Sequence, residues 1–151
     1  MTTALPYVDE HTTIVVADPD ALWRGLSAAL DGAAGRGGRY ARLVGCADVV
    51  AAGPRPLAEG SALPGFRVSS ATPGRELALT GSHRYSVYAL TFRIEEAGPG
   101  RLLLRAETRA AFPGLSGRLY RGLVIGTGAH ALGIKRLMAT VRTRAEEQPA
   151  P

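Results

Sequence analysis

A single cysteine, Cys46, in 151 residues leaves no intramolecular disulfide and no cysteine-based zinc site to assemble. Lysine is as scarce, because Lys135 stands alone beside seventeen arginines in a chain of formal net charge +5. With alanine and glycine abundant, that arginine bias suggests a GC-rich genome more readily than selection for phosphate binding. The arginines run from Arg24 to Arg144 instead of forming a block, so no nucleic-acid partner is expected. Long apolar runs are absent too. The stretch Leu123 to Ile134 falls short of the about 20 residues a membrane helix needs, and His130 interrupts it. No integral membrane segment is expected. The opening MTTALPYVDEHT lacks the basic and apolar regions of a secretory signal. These absences lead to the expectation of a cytoplasmic protein in a reducing compartment, with no metal and no cofactor.

What is present suits one globular domain: 46% apolar and 21% charged residues in a length that buries a full core without staples. Residues 1–10 and 148–151 read as tails around a single domain over 11–147. His11 to Ala17 is rich in β-formers and runs into Asp18-Pro19-Asp20, an N-cap, a first-turn proline and a first-turn acid. A helix is expected from Asp18, its apolar face built from Leu22, Leu26, Ala29 and Leu30 with Trp23 at the edge, ending near Asp31-Gly32. Gly35 to Gly38 reads as a loop, and Arg39 to Gly45 as either a short helix or the approach to a strand. Ala47 to Pro64 carries three prolines and two glycines and reads as a strand followed by an irregular loop.

From Phe66 the pattern becomes periodic in two. Phe66 to Thr72 and Glu76 to Thr80 alternate around a Pro73-Gly74 turn, with Leu77 and Leu79 on one side. Tyr85 to Glu95 sets Tyr88, Leu90, Phe92 and Ile94 on one face. After the Ala97 to Gly100 turn, Arg101 to Phe112 directs Leu102, Leu104, Ala106, Thr108, Ala110 and Phe112 inward, and Arg105, Glu107 and Arg109 outward. Behind this meander, Ser116 as N-cap predicts one long amphipathic helix to about Glu147. Its inward stripe would be Leu119, Leu123, Thr127, His130, Ile134, Leu137 and Val141.

This order of elements, with the stretches PLAEGS, GFRV, ELALTGSH, YALTFRIE, RAETRAAFPG and GRLYRGLVIGTGAHALGIKRLM, resembles the START-like or SRPBCC superfamily, in particular its bacterial polyketide cyclase-like and uncharacterised members. The resemblance spans residues 11 to 145 and implies an α+β helix-grip (START/Bet v 1-like) fold, an antiparallel sheet wrapped around a long C-terminal helix. It also implies a cavity for a small hydrophobic molecule. No residue matches a catalytic motif of the aromatase/cyclase branch, so no active-site role is carried over.

The expected ligand-binding set is Trp23, Tyr88, Phe92, Leu123, Thr127 and His130. His130 is the one titratable group on the stripe and the weak catalytic candidate. It lacks a carboxylate at an adjacent helical position, so a satisfied histidine under the sheet is the competing reading. Trp23, Tyr88 and Phe92 suit a pocket wall but equally a plain core. His83 and Tyr85, near a turn, are placed to guard a cavity mouth or simply to meet solvent. Gly122, Gly126, Gly128 and Gly133 lie in the expected helix, where they need compensation from close packing, a ligand or another chain. Arg118, Arg121, Lys135, Arg136, Arg142 and Arg144 read as a solvated basic face. Three functions stay open: a non-catalytic protein binding a hydrophobic or aromatic molecule in a cavity between the sheet and the C-terminal helix, a polyketide cyclase/dehydratase-like enzyme using His130 as acid/base, and an interaction module forming a homodimer through an apolar face.

Overall fold

The computed structural model describes residues 5–147, and the expected tail 148–151 and the first four residues lie outside them. Six strands form one antiparallel sheet: β1 (Tyr7–Val15), β2 (Ala62–Leu63), β3 (Phe66–Thr72), β4 (Glu76–His83), β5 (Ser86–Gly98) and β6 (Arg101–Ala111). Their order across the sheet is β1-β6-β5-β4-β3-β2, so the meander β2 to β6 is extended at its far edge by the first strand. β1 begins at Tyr7, inside the stretch that read as a tail, and the Pro6 carbonyl already accepts from Ala110 N at 2.9 Å.

The helix α1 (Pro19–Arg36) starts where its cap dictates: Ala21 N donates to Asp18 Oδ1 at 2.8 Å, and Pro19 occupies a position whose N–H has no helical partner to lose. It does not stop at Asp31-Gly32. Two favourable alanines, Ala33 and Ala34, carry it across Gly32 and Gly35 while Ala34 packs against the core, and Gly37 closes it by donating to the Ala34 carbonyl at 3.0 Å. The stretch after it is a helix, α2 (Gly38–Leu43). Between 47 and 61 the expected strand does not form. Arg55 organises that loop instead, donating to the carbonyls of Ala52, Gly53, Pro54 and Ala62 and to the Asp31 carboxylate.

The long terminal helix is the main correction. It is three pieces: α3 (Gly114–Arg121), a π-helical turn (Gly122–Gly126) and, after a break, α4 (Ala129–Glu147). The chain enters α3 from extended Pro113, and Ser116 is not the cap. Gly128 adopts φ +79°, a left-handed conformation that ends the helix, while the Thr127 hydroxyl turns back onto the Leu123 carbonyl. A π turn holds more residues than an α turn, so it rotates the phase of the inward stripe. Leu119 and Leu123 are therefore 70% and 68% exposed, and only Ile134, Met138, Val141 and Ala145 of α4 are buried against the sheet and α1.

The core joins these faces. Leu22 and Leu26 of α1, Leu77 and Leu79 of β4, Phe92 of β5, Leu104 and Ala106 of β6 and Val141 of α4 form one apolar cluster. The strand alternation read from the sequence is obeyed along β6, at Leu77 and Leu79 of β4 and at Leu90 and Phe92 of β5. The architecture is the α+β helix grip.

Candidate functional site

At the α2 end of the sheet the core gives way to a cavity of about 360 Å³. Small side chains make room for it: Ala33 and Ala34 of α1, Ala41 of α2, Gly65 and Ala110. Tyr88 and Leu90 of β5 and Thr108 of β6 form the sheet wall. His130 and Ile134 of α4 face them, and Tyr120, Val124 and Ile125 from α3 and the π turn complete the enclosure.

One end is aromatic. Tyr88 meets Phe66 edge-on at 5.3 Å, His83 meets Tyr120 at 4.8 Å, and Tyr85 stacks on Tyr120 at 5.3 Å. The Tyr40 and Tyr120 hydroxyls touch, linking α2 to α3 over the cavity. Tyr88 is clamped: its hydroxyl donates to the Gly65 carbonyl at 2.5 Å, and its ring lies so close over Gly81 that a Cβ there would sit 2.4 Å from it. Burial pushes the Tyr88 and Tyr120 phenols well above the ordinary tyrosine range, so both stay neutral. With its proton committed to Gly65, the Tyr88 oxygen has only acceptor capacity left. Burial likewise raises the Cys46 thiol, which lies 3.8 Å from that oxygen and is correspondingly a poor nucleophile.

His83 belongs to the same end. Tyr85 N donates to its Nδ1 at 3.0 Å and its Nε2 lies 3.1 Å from Ser86 Oγ, so the ring carries its proton on Nε2. Burial holds it below the ordinary histidine value, in agreement with that neutral tautomer.

The other end is polar. His130 Nε2 lies 3.0 Å from Thr108 Oγ1 and 3.5 Å from Asp9 Oδ1. Asp9 and Thr108 are paired neighbours on β1 and β6. The Asp9 oxygen is buried and makes no hydrogen bond, while its second oxygen lies 3.3 Å from His11 Nε2. A carboxylate can only accept, so it favours a proton on the histidine nitrogen that faces it.

Of the expected site residues, Tyr88 and His130 line the cavity. Trp23 and Phe92 are buried in the solid core, and Leu123 and Thr127 point to solvent, displaced by the helix break; Val124 and Ile125 stand where those two were expected. Asp9 went unnoticed because it joins His130 across the fold, from a segment that read as a tail. Tyr40 went unnoticed because Arg39 to Gly45 read equally as a short helix or the approach to a strand, which assigns its side chains to no face, and Tyr120 because its helix read as continuous with α4. Among the described residues there is no group of three or more His, Cys, Asp or Glu placed to hold a metal ion, and no helix long and apolar enough to cross a membrane.

No family model matches the chain and no curated protein matches it in sequence. Solved structures do. CalU16 from Micromonospora echinospora aligns over 94% of this chain and 76% of its own at 16% identity, with a TM-score of 0.57. A truncated norcoclaurine synthase from Thalictrum flavum aligns over 98% of this chain and 100% of its own at 9% identity and a TM-score of 0.55. The di-domain ARO/CYC StfQ of the steffimycin biosynthetic pathway aligns over 94% of this chain and 51% of its own at 13% identity and a TM-score of 0.52. Identities this low establish a shared fold and no shared chemistry.

Proposed function

We propose that this chain, which has the START-like helix-grip fold, binds a small hydrophobic molecule carrying an aromatic or other flat ring. The observation that carries this reading is the cavity itself: about 360 Å³, walled mostly by aliphatic and aromatic side chains, with His130 and Thr108 as polar groups at one end and His83, Ser86 and the tyrosine hydroxyls at the other. That size and that sparse polarity are typical of sites that take a small ligand, gaining affinity from buried apolar area and orientation from one or two hydrogen bonds. Native mass spectrometry of protein purified from cells should show a bound or readily bound apolar compound. Cys46 gives an independent readout, since it lines the cavity and a bound ligand should slow its alkylation. Persistent failure to load any apolar compound, with Cys46 alkylation unaffected by all of them, would remove the proposal.

A second reading is favoured by Asp9. A histidine with a carboxylate 3.5 Å away and a hydroxyl at 3.0 Å has the partners an acid/base needs, so His130 is the group to move a proton on a ligand held against the aromatic wall. The reaction class of this reading is the polyketide cyclase/dehydratase type that the resemblance of the sequence implies; a norcoclaurine synthase of the same fold is solved with two aromatic compounds, dopamine and hydroxybenzaldehyde. On this reading His130→Ala abolishes turnover while ligand binding and folding persist, and Asp9→Asn lowers turnover without lowering affinity. Full activity in His130→Ala would return the protein to simple binding.

A further inference from the structure

Two helical segments cover the cavity mouth, and each has two faces. The inner faces supply Ala41, Tyr120, Val124 and Ile125 to the wall. The outer faces carry the most exposed aliphatic side chains among the described residues: Leu43 is 75% exposed, Leu115 74%, Leu119 70% and Leu123 68%. Around these leucines stand Arg36, Arg39 and Arg42 on the α1–α2 side, and Arg118 and Arg121 on α3, all exposed. There is no Asp or Glu anywhere in residues 32–47 or 108–145, so the thirteen acidic residues of the chain all lie outside both segments. The contact between the Tyr40 and Tyr120 hydroxyls, both of which line the cavity, holds the two segments side by side.

We propose that this rim is a docking surface for an anionic lipid bilayer. Exposed leucines interleaved with arginines, on short amphipathic segments, match the two layers such a bilayer offers, acyl chains for the leucines and phosphates for the guanidiniums. A second copy of the chain fits worse. A two-fold pairing of this face would set its arginines against the same arginines of the partner, with no carboxylate on either segment to neutralise them. A nucleic acid would meet the cations but leave the aliphatic side chains without an apolar partner. Docked this way, the cavity opens at the membrane surface and an apolar molecule passes between bilayer and protein without crossing water. That consequence rests on the ligand-binding reading above, whereas the docking itself does not.

The test is co-sedimentation of the full chain with vesicles of phosphatidylcholine alone, or with part of that lipid replaced by phosphatidylserine. Binding is expected only to the phosphatidylserine vesicles, and it should weaken with added salt. Arg39→Glu with Arg118→Glu, and separately Leu119→Ser with Leu123→Ser, should each weaken it by at least about tenfold. Arg144→Glu, a reversal on the exposed side of α4 away from the mouth, should change it by less than about twofold. No binding to phosphatidylserine vesicles, equal loss in Arg144→Glu, equal affinity for a DNA duplex, or a dimer in sedimentation velocity that the serine substitutions dissolve would each overturn the proposal. Uptake of an apolar fluorophore in vesicle-free solution separates the two readings. If it persists without docking, only the docking proposal fails; if docking persists without it, only the ligand reading fails.

Discussion

Two stretches of the same two strands end differently. Around Phe92 on β5 and Leu104 and Ala106 on β6, α1 and α4 are both continuous, and the space is filled to zero exposure by Leu22, Met138 and Val141. Around Tyr88 on β5 and Thr108 and Ala110 on β6, the inward alternation is unchanged, yet a cavity lies there. The sheet is therefore not the cause. The difference lies in what faces it: at the open end α1 offers Ala33 and Ala34, and the C-terminal helix is interrupted at Thr127-Gly128. The cavity comes from small side chains and a broken helix set over an ordinary sheet.

The sharpest way to test that contrast is to hollow the filled end. Phe92→Ala should cost about 3–5 kcal/mol in urea or thermal unfolding, since no part of the side chain reaches solvent and its neighbours are held by two helices. A paired enlargement then asks the same question in reverse. Ala106 and Ala110 are both buried and lie on the same face of β6, one turned to the solid core and the other to the cavity. Ala106→Leu should destabilise by about 1–3 kcal/mol through overpacking. Ala110→Leu should leave stability unchanged or raise it by up to about 2 kcal/mol, and should weaken binding of an apolar fluorophore by at least about tenfold. Equal destabilisation by the two leucines would mean that the open end is packed after all.

How much of this was legible in the sequence follows from the range over which each feature is encoded. The Asp18 cap is written in three consecutive residues, and the alternation of β4 to β6 within single strands, so both were readable and with them the helix-grip order. The inward positions of Tyr88 and His130 followed from the same periodicities. The break at Gly128 was not readable, because glycine inside an apolar helical pattern signals either a costly helix residue or a stop, and φ decides between them. That break, together with the π turn before it, is why Leu123 and Thr127 were misplaced. Asp9 beside His130 depends on the β1–β6 register, a pairing between the two ends of the chain that no local pattern specifies.

A smaller effect distinguishes Tyr88 as wall from Tyr88 as ligand handle. Tyr88→Phe keeps the ring over Gly81 and removes the hydrogen bond to the Gly65 carbonyl, which should cost about 1 kcal/mol. Because that proton is already committed to Gly65, fluorophore affinity should change by less than about threefold. A larger loss of affinity than of stability would show that the hydroxyl serves the ligand directly.

The smallest expected effect is a pH dependence at the aromatic end with no counterpart in the solid core. His83 is held below its ordinary value of 6.5 by burial, so between the two values the unfolded chain binds the proton that the folded one refuses. Stability is then complete above pH 6.5 and declines as the pH falls through the window below it, where a proton on Nδ1 would oppose the Tyr85 N–H. Glu107 and Glu146 are depressed by their hydrogen bonds from Arg109 and Arg142, so their contributions are lost separately, as the pH falls below the ordinary glutamate value of 4.5. Urea midpoints measured across the histidine window should slope upward with pH in the parent chain and less steeply in His83→Gln. An unchanged slope in that variant would place the proton uptake elsewhere and return His83 to the role of a ring in the wall.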